Sequence, residues 1–185
     1  MLRLARAGQQ EAKERLVRLY FDQGYRLAVR LTQNTRDADD LIQDAFLEVF
    51  RSLSRFDVTQ PFLPWFRKII VHRYQKLHRK RKLVRRFFPF QGKENFDPDL
   101  FEMAGSSPEL ALRRQEEKEI LLNALGRLPE DQRLVVTLFD LEGLSQKEIA
   151  ALLEVPVGTV MSRLHYARRK LRDMLRPYFK GKMSS

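Results

Sequence analysis

Apolar positions recur every three or four residues along most of the chain, the period of an amphipathic helix and not of a strand. Ala12, Leu16, Leu19 and Tyr20 form one such run, Leu27 and Leu31 continue the spacing, and Leu41, Ala45, Phe46, Val49 and Leu53 form a further run. Asn34 or Thr35 suits the N-cap of that last helix. Asp37, Asp39 and Asp40 fall in its first turn, where the helix dipole favours negative charge. Phe56, Pro61 and Pro64 mark a loop, and helical spacing returns from Trp65 to about Arg86 through Ile69, Arg73 and Leu77. From Phe87 to Ser107 the periodicity is lost, and Pro89, Gly92, Pro98 and Gly105 read as a linker. Ser107-Pro108-Glu109 caps a fresh helix, and Leu128-Pro129-Glu130 starts another. The expectation is an all-α fold of two small helical domains, an N-terminal bundle over 1–86 and a C-terminal domain over 108–185, joined by an extended acidic linker over 87–107.

The stretch Gly143–Leu171 carries the sharpest local pattern. Ser145 followed by Glu148 is a capping box, and Ile149, Ala150, Leu152 and Leu153 give the helix after it an apolar face. Val155 marks a turn, and Pro156 suits the first position of the next helix, whose Val160, Leu164, Ala167 and Leu171 recur at three- and four-residue spacing. Between these lie Ser162, Arg163, His165, Tyr166, Arg168, Arg169 and Lys170. A helix, a tight turn and a second helix with a cationic outer face is the layout of a DNA reader, in which the second helix enters the major groove.

Composition removes other classes. The chain has 185 residues and no cysteine, so disulfides and thiolate chemistry are excluded. His72, His78 and His165 are scattered, and no metal site is expected. No glycine pattern suits a phosphate-binding loop, so no nucleotide cofactor is expected either. Neither a membrane-spanning apolar run nor the apolar core of a signal peptide is present, so a cytoplasmic protein without membrane insertion is expected. No carboxylate pair or histidine cluster suggests an enzyme.

The net charge of +11 is unevenly distributed. Between Val58 and Lys93 there is no acidic residue against eleven lysines and arginines, while Asp37–Phe50 carries five carboxylates and no base. Glu94–Glu119 is again acidic. Such blocks imply several surfaces with different partners. Within the basic block, Trp65, Phe66 and Tyr74, with Phe56 and Phe62 upstream, interleave with cations. Aromatic faces stack on unpaired bases while lysine and arginine hold phosphates. The same aromatics also suit a core.

The segments DADDLIQDAFLEVFRSLSRFD, PFLPWFRKI and LGRLPEDQRLVVTLFDLEGLSQKEIAALLEVPVGTVMSRLHYARRKL, in that order, resemble the extracytoplasmic-function sigma factors of the bacterial sigma-70 family. The resemblance covers about 10–82 and 112–176. It implies a non-catalytic initiation factor that binds core RNA polymerase and directs it to promoter DNA, and family members are commonly held inactive by an anti-sigma factor. Asp40, Gln43, Asp44 and Glu48 match the polymerase-docking helix. Phe56 matches the element receiving a flipped minus-10 base. Trp65, Arg67, Lys68, His72, Arg73, Lys76, Arg79 and Lys80 match the surface gripping that element. Thr159, Met161, Ser162, Arg163, His165, Tyr166, Arg168 and Arg169 fall where the minus-35 element is read. His72 stands where asparagine is usual, Lys76 where aspartate is frequent, and Met161 and Tyr166 where bases are frequent. A free-standing helix-turn-helix regulator is the alternative, but it has no need of the N-terminal half.

Overall fold

A computed structural model describes the backbone of residues 1–87 and 108–179 and the side chains of 1–79 and 116–178. The chain divides into two compact units, Met1–Asn95 and Phe96–Ser185. All described elements are helical. The expected linker lies outside the described residues except for Phe87, which is the last residue of a helix.

The first unit contains α1 (Leu2–Arg6), α2 (Gln10–Thr32), α3 (Thr35–Ser52), a 3-10 turn (Leu53–Arg55) and α4 (Phe62–Phe87). The runs around Leu16 and Leu27 belong to one continuous helix, α2, with Gly24 in its middle. A Cβ at Gly24 would lie 2.6 Å from Ile42 Cδ1 and 2.7 Å from Phe66 Cε1, so the missing side chain lets α3 and α4 pack closely on α2 here. The buried line of α2 runs through Ala12, Leu16, Gly24, Leu27 and Leu31. Leu19, expected on that face, is 56% exposed; at about 100° per residue it lies about 80° from Leu27 and about 120° from Leu31, at the edge of the stripe. Gln33 ends α2 in the left-handed region (φ 57). Asn34 then caps α3, its Oδ1 accepting from the Asp37 N–H at 3.0 Å.

Ala38, Leu41, Ile42, Ala45, Phe46 and Val49 turn one face of α3 inward, and α4 answers with Phe62, Phe66, Ile70, Val71 and Tyr74. Helix α4 begins at Phe62, three residues before the expected Trp65. Pro64 does not prevent this, because the first-turn N–H groups have no intrahelical acceptor to lose.

The second unit contains α5 (Pro108–Gly126), α6 (Glu130–Val136), a π-helical segment (Thr137–Leu141), α7 (Gln146–Leu153) and α8 (Val157–Phe179). Leu122, Leu125, Leu128, Leu134, Val135, Leu138, Ile149, Leu153, Val160 and Leu164 form its core. Pro156 precedes α8 and does not occupy its first turn, its carbonyl accepting from the Thr159 and Val160 N–H groups at 2.9 and 3.3 Å. The π-helical segment has no counterpart in the sequence expectation, since its apolar spacing continues that of α6. Gly143, at φ +73, turns the chain from this segment into α7. Among the described residues no helix is long and apolar enough to cross a membrane.

Candidate functional site

Three helix faces carry the residues singled out from sequence. On α3, Asp40, Gln43 and Asp44 are exposed, on the side away from its buried face. Leu47, one turn further on, is 52% exposed and continues the line. Sequence reasoning missed Leu47, because the docking line was drawn from polar residues alone. Glu48 is half-buried and forms an ion pair with Arg73 of α4, so a residue expected to face polymerase and one expected to face DNA hold each other.

On α4, Lys68, His72, Lys76 and Arg79 are exposed at steps of four, four and three residues. That spacing puts them in one line along the helix. Arg67 and Arg73 flank the line and are half-buried, and the Lys80 side chain lies outside the described residues. At the start of α4 the aromatics form a stack. Phe56 is buried, its ring 4.2 Å from that of Trp65 at 24°, and Phe62 meets Trp65 edge-on at 5.6 Å. Phe62 also stacks on Phe66, with centroids 5.6 Å apart. In this conformation Phe56 offers no open face for a base, because Trp65 covers it. The loop beyond Phe56 is ordered by Asp57, whose Oδ1 accepts from the Thr59 N–H at 3.0 Å and the Thr59 hydroxyl at 2.7 Å. Those bonds hold the Asp57 carboxyl below the usual carboxylate range.

In the second unit α7 opens on a capping box: Ser145 Oγ accepts from the Glu148 N–H at 3.2 Å, and the Ser145 N–H donates to Glu148 Oε2 at 2.8 Å. The chain leaves α7 through Glu154, in the left-handed region at φ 55. Helix α8 then buries Val160, Leu164 and Ala167 and exposes Met161, Ser162, His165, Tyr166, Arg168 and Arg169, with Thr159 and Arg163 half-buried. Tyr166 is flanked by the His165 ring, edge-on at 5.5 Å, and by the Arg169 guanidinium at 5.7 Å. The Ser162 hydroxyl donates to the Thr159 carbonyl at 3.0 Å.

Two arginines of α8 are already engaged. Arg163 Nη2 donates to Asp131 Oδ2 at 3.1 Å. Arg168 meets Asp140 through two nitrogens, with Nε 3.1 Å from Oδ2, and its guanidinium lies 4.9 Å from the centre of the Phe139 ring. The Asp140 hydrogen bonds raise the Arg168 pKa further above its ordinary value. Neither acid was legible as part of the site, because each lies about thirty residues from its arginine. Among the described residues no group of three histidines or carboxylates is placed to hold a metal ion.

Residues 16–84 match the family described as Sigma-70 region 2, and 118–171 match Sigma-70, region 4. The chain is similar to the ECF RNA polymerase sigma factor SigE of Mycolicibacterium smegmatis, at 38% identity over 164 residues, 88% of this chain and 61% of that one. It thus spans less than two thirds of that relative. It is 34% identical to the ECF RNA polymerase sigma-E factor of Escherichia coli over 148 residues, 76% of this chain and 75% of that one. Among solved structures, CnrH in complex with the cytosolic domain of CnrY aligns with a TM-score of 0.59 at 27% identity, covering 95% of each chain. The sigma factor RpoE of Bartonella quintana, in complex with the anti-sigma factor NepR, aligns at 0.68 and 22% identity over 88% of this chain and 96% of that one, a likeness of fold.

Proposed function

The chain belongs to the ECF RNA polymerase sigma factors of the sigma-70 family, and from that premise we propose that it binds core RNA polymerase and directs promoter-specific initiation in the cytoplasm. The observation that carries this reading is the pairing on two packed helices of an acidic line with a cationic one. Asp40, Gln43 and Asp44 of α3 face polymerase. Lys68, His72, Lys76 and Arg79 of α4 face the opening minus-10 element, where cations hold phosphates. The Phe56–Trp65 pair sits beside that line, and a flipped base exchanges with the Trp65 ring. Extruding a base costs a few kcal/mol, which the stacking partner and cationic shelf offset. The helix-turn-helix of α7 and α8 reads the minus-35 element, with Ser162, His165, Tyr166 and Arg169 outermost.

The protein contributes recognition and strand opening, and bond formation belongs to the polymerase. An anti-sigma factor is a further partner in this reading, as the sigma factor RpoE of Bartonella quintana is seen with the anti-sigma factor NepR. The test is reconstitution. The full chain added to core polymerase on a genomic template should yield transcripts whose start sites share minus-35 and minus-10 elements, and it should co-purify with core polymerase. Specific duplex binding without polymerase association would establish the free-standing regulator instead.

A further inference from the structure

Arg163 and Arg168 occupy a special position on α8. Five residues apart, they are separated by about 140° around the helix axis at roughly 100° per residue. Met161, Ser162, His165, Tyr166 and Arg169 lie on the exposed arc between them, and the buried Val160, Leu164 and Ala167 lie on the other side. The two arginines are therefore the borders of the outward face. Each border is fastened to a different element. Arg163 is tied to Asp131 in the first turn of α6, and Arg168 to Asp140 in the π-helical segment with Phe139 beneath its guanidinium.

Seating on valine, leucine and alanine is non-directional, so it resists separation of α8 better than rotation about its axis. Directional contacts at both borders oppose rotation in either sense. The consequence for reading is large, because side chains end on a cylinder of about 5–6 Å radius. A roll of about 20° moves them by roughly 2 Å, enough to break a hydrogen bond to a base edge. Each acid also cancels a charge that would otherwise attract phosphates of any sequence.

We propose that Asp131 and Asp140 are positioning residues for minus-35 recognition: they fix the roll of α8 and withhold Arg163 and Arg168 from indiscriminate phosphate binding. The inference rests on the reading of α8 as the minus-35 helix. It changes the roles of the two arginines, which act as fastenings at the border of the reading face instead of direct contacts.

The test uses the full chain assembled with core polymerase, on a promoter duplex and on the same duplex with a scrambled minus-35 element, across a salt series. Asp131→Asn with Asp140→Asn should tighten binding to the scrambled duplex about 3–10-fold and lower the preference for the promoter at least about 10-fold. The salt slope should steepen by about one to two, as expected for up to two additional phosphate contacts. Reversing one fastening, Asp140→Arg with Arg168→Asp, should recover more than half of the preference lost in Asp140→Asn alone. The inference is overturned if the double asparagine variant keeps the parental preference and slope. A variant that melts earlier but discriminates as the parent does would likewise overturn it, reducing the pairs to structural ties. If the parent complex itself fails to distinguish the promoter from the scrambled duplex, the minus-35 reading falls with it.

Discussion

Helices α4 and α8 are both cationic and both proposed to meet DNA, yet they are held by different balances of the same forces. Helix α4 sits in an aromatic bed, with Phe62 and Phe66 buried against Phe46, Phe56 and Tyr20. Its exposed line of Lys68, His72, Lys76 and Arg79 projects from that bed. Helix α8 buries smaller side chains at Val160, Leu164 and Ala167, and its orientation is shared with ion pairs at Asp131 and Asp140. Apolar packing is not screened by salt, whereas partly exposed ion pairs weaken as salt rises. Both helices combine an apolar seat with ion pairs, α4 with one at Glu48 and α8 with two at the borders of its outward face, so the balance between them differs in degree. The first suits a surface that backs an opening strand, and the second suits a helix whose register against base edges decides specificity.

The largest expected effect comes from breaking the aromatic bed. Phe56→Ala removes a buried ring from a cluster that includes the only tryptophan of the chain, and should destabilise the first unit by about 3–5 kcal/mol. Chemical denaturation followed by Trp65 fluorescence measures this directly. A loss below 1 kcal/mol would show that the stack is dispensable for α4.

Next is the acidic line on the opposite partner helix. Asp44→Arg introduces a cation where the proposed polymerase surface receives a carboxylate, and affinity for core polymerase should fall at least about 30-fold, the equivalent of about 2 kcal/mol. Because Asp44 is exposed, circular dichroism and melting should match the parent. Unchanged pull-down of core polymerase would leave the line without its assigned partner.

A smaller effect separates the two units. Ser145→Ala removes the oxygen that accepts from the Glu148 N–H and should cost about 1 kcal/mol, confined to the helix-turn-helix. Hydrogen exchange should quicken in α7 while amides of α3 keep their protection. Spread of the effect into α3 would contradict independent stability of the units.

The smallest effect concerns base choice. His72 and Lys76 are exposed one turn apart on α4, and His72→Asn with Lys76→Asp replaces one donor set by an amide and a carboxylate. Open-complex formation on a promoter library should shift by a few-fold, and only at minus-10 positions. A library profile identical to the parent would show that the two side chains face solvent.

Local chemistry made much of this legible. The Asn34 cap and the Ser145–Glu148 capping box are bonds between residues three apart, and they form as the sequence pattern predicts. The buried faces of α3 and α8 follow from spacing alone, and the exposure of Asp40, Asp44, Lys68 and Lys76 follows from their charge, whereas on α4 the expected run Ile69, Arg73 and Leu77 is half-buried and the core face is Phe66, Ile70 and Tyr74. Boundaries read less well. Pro64 reads as a loop residue, although a proline in a first turn displaces no hydrogen bond. The stretch Leu134–Leu141 keeps a helical spacing that hides a change from α to π winding. Leu47 falls outside the apolar run of α3, and its place beside the acidic line shows only in the fold.

What the sequence determined by itself are the quantities fixed over one or two helical turns: element type, caps, which faces are apolar, and the separation of acidic from basic blocks. Period and capping are local, so the information sits in neighbouring residues. Tertiary structure alone decided which charges are spent internally. Glu48 meets Arg73 across 25 residues, Asp140 meets Arg168 across 28, and Asp131 meets Arg163 across 32. A charged side chain carries no local mark of its eventual partner, since attraction between ions depends on their distance in space, and that distance is set only when the apolar faces have packed.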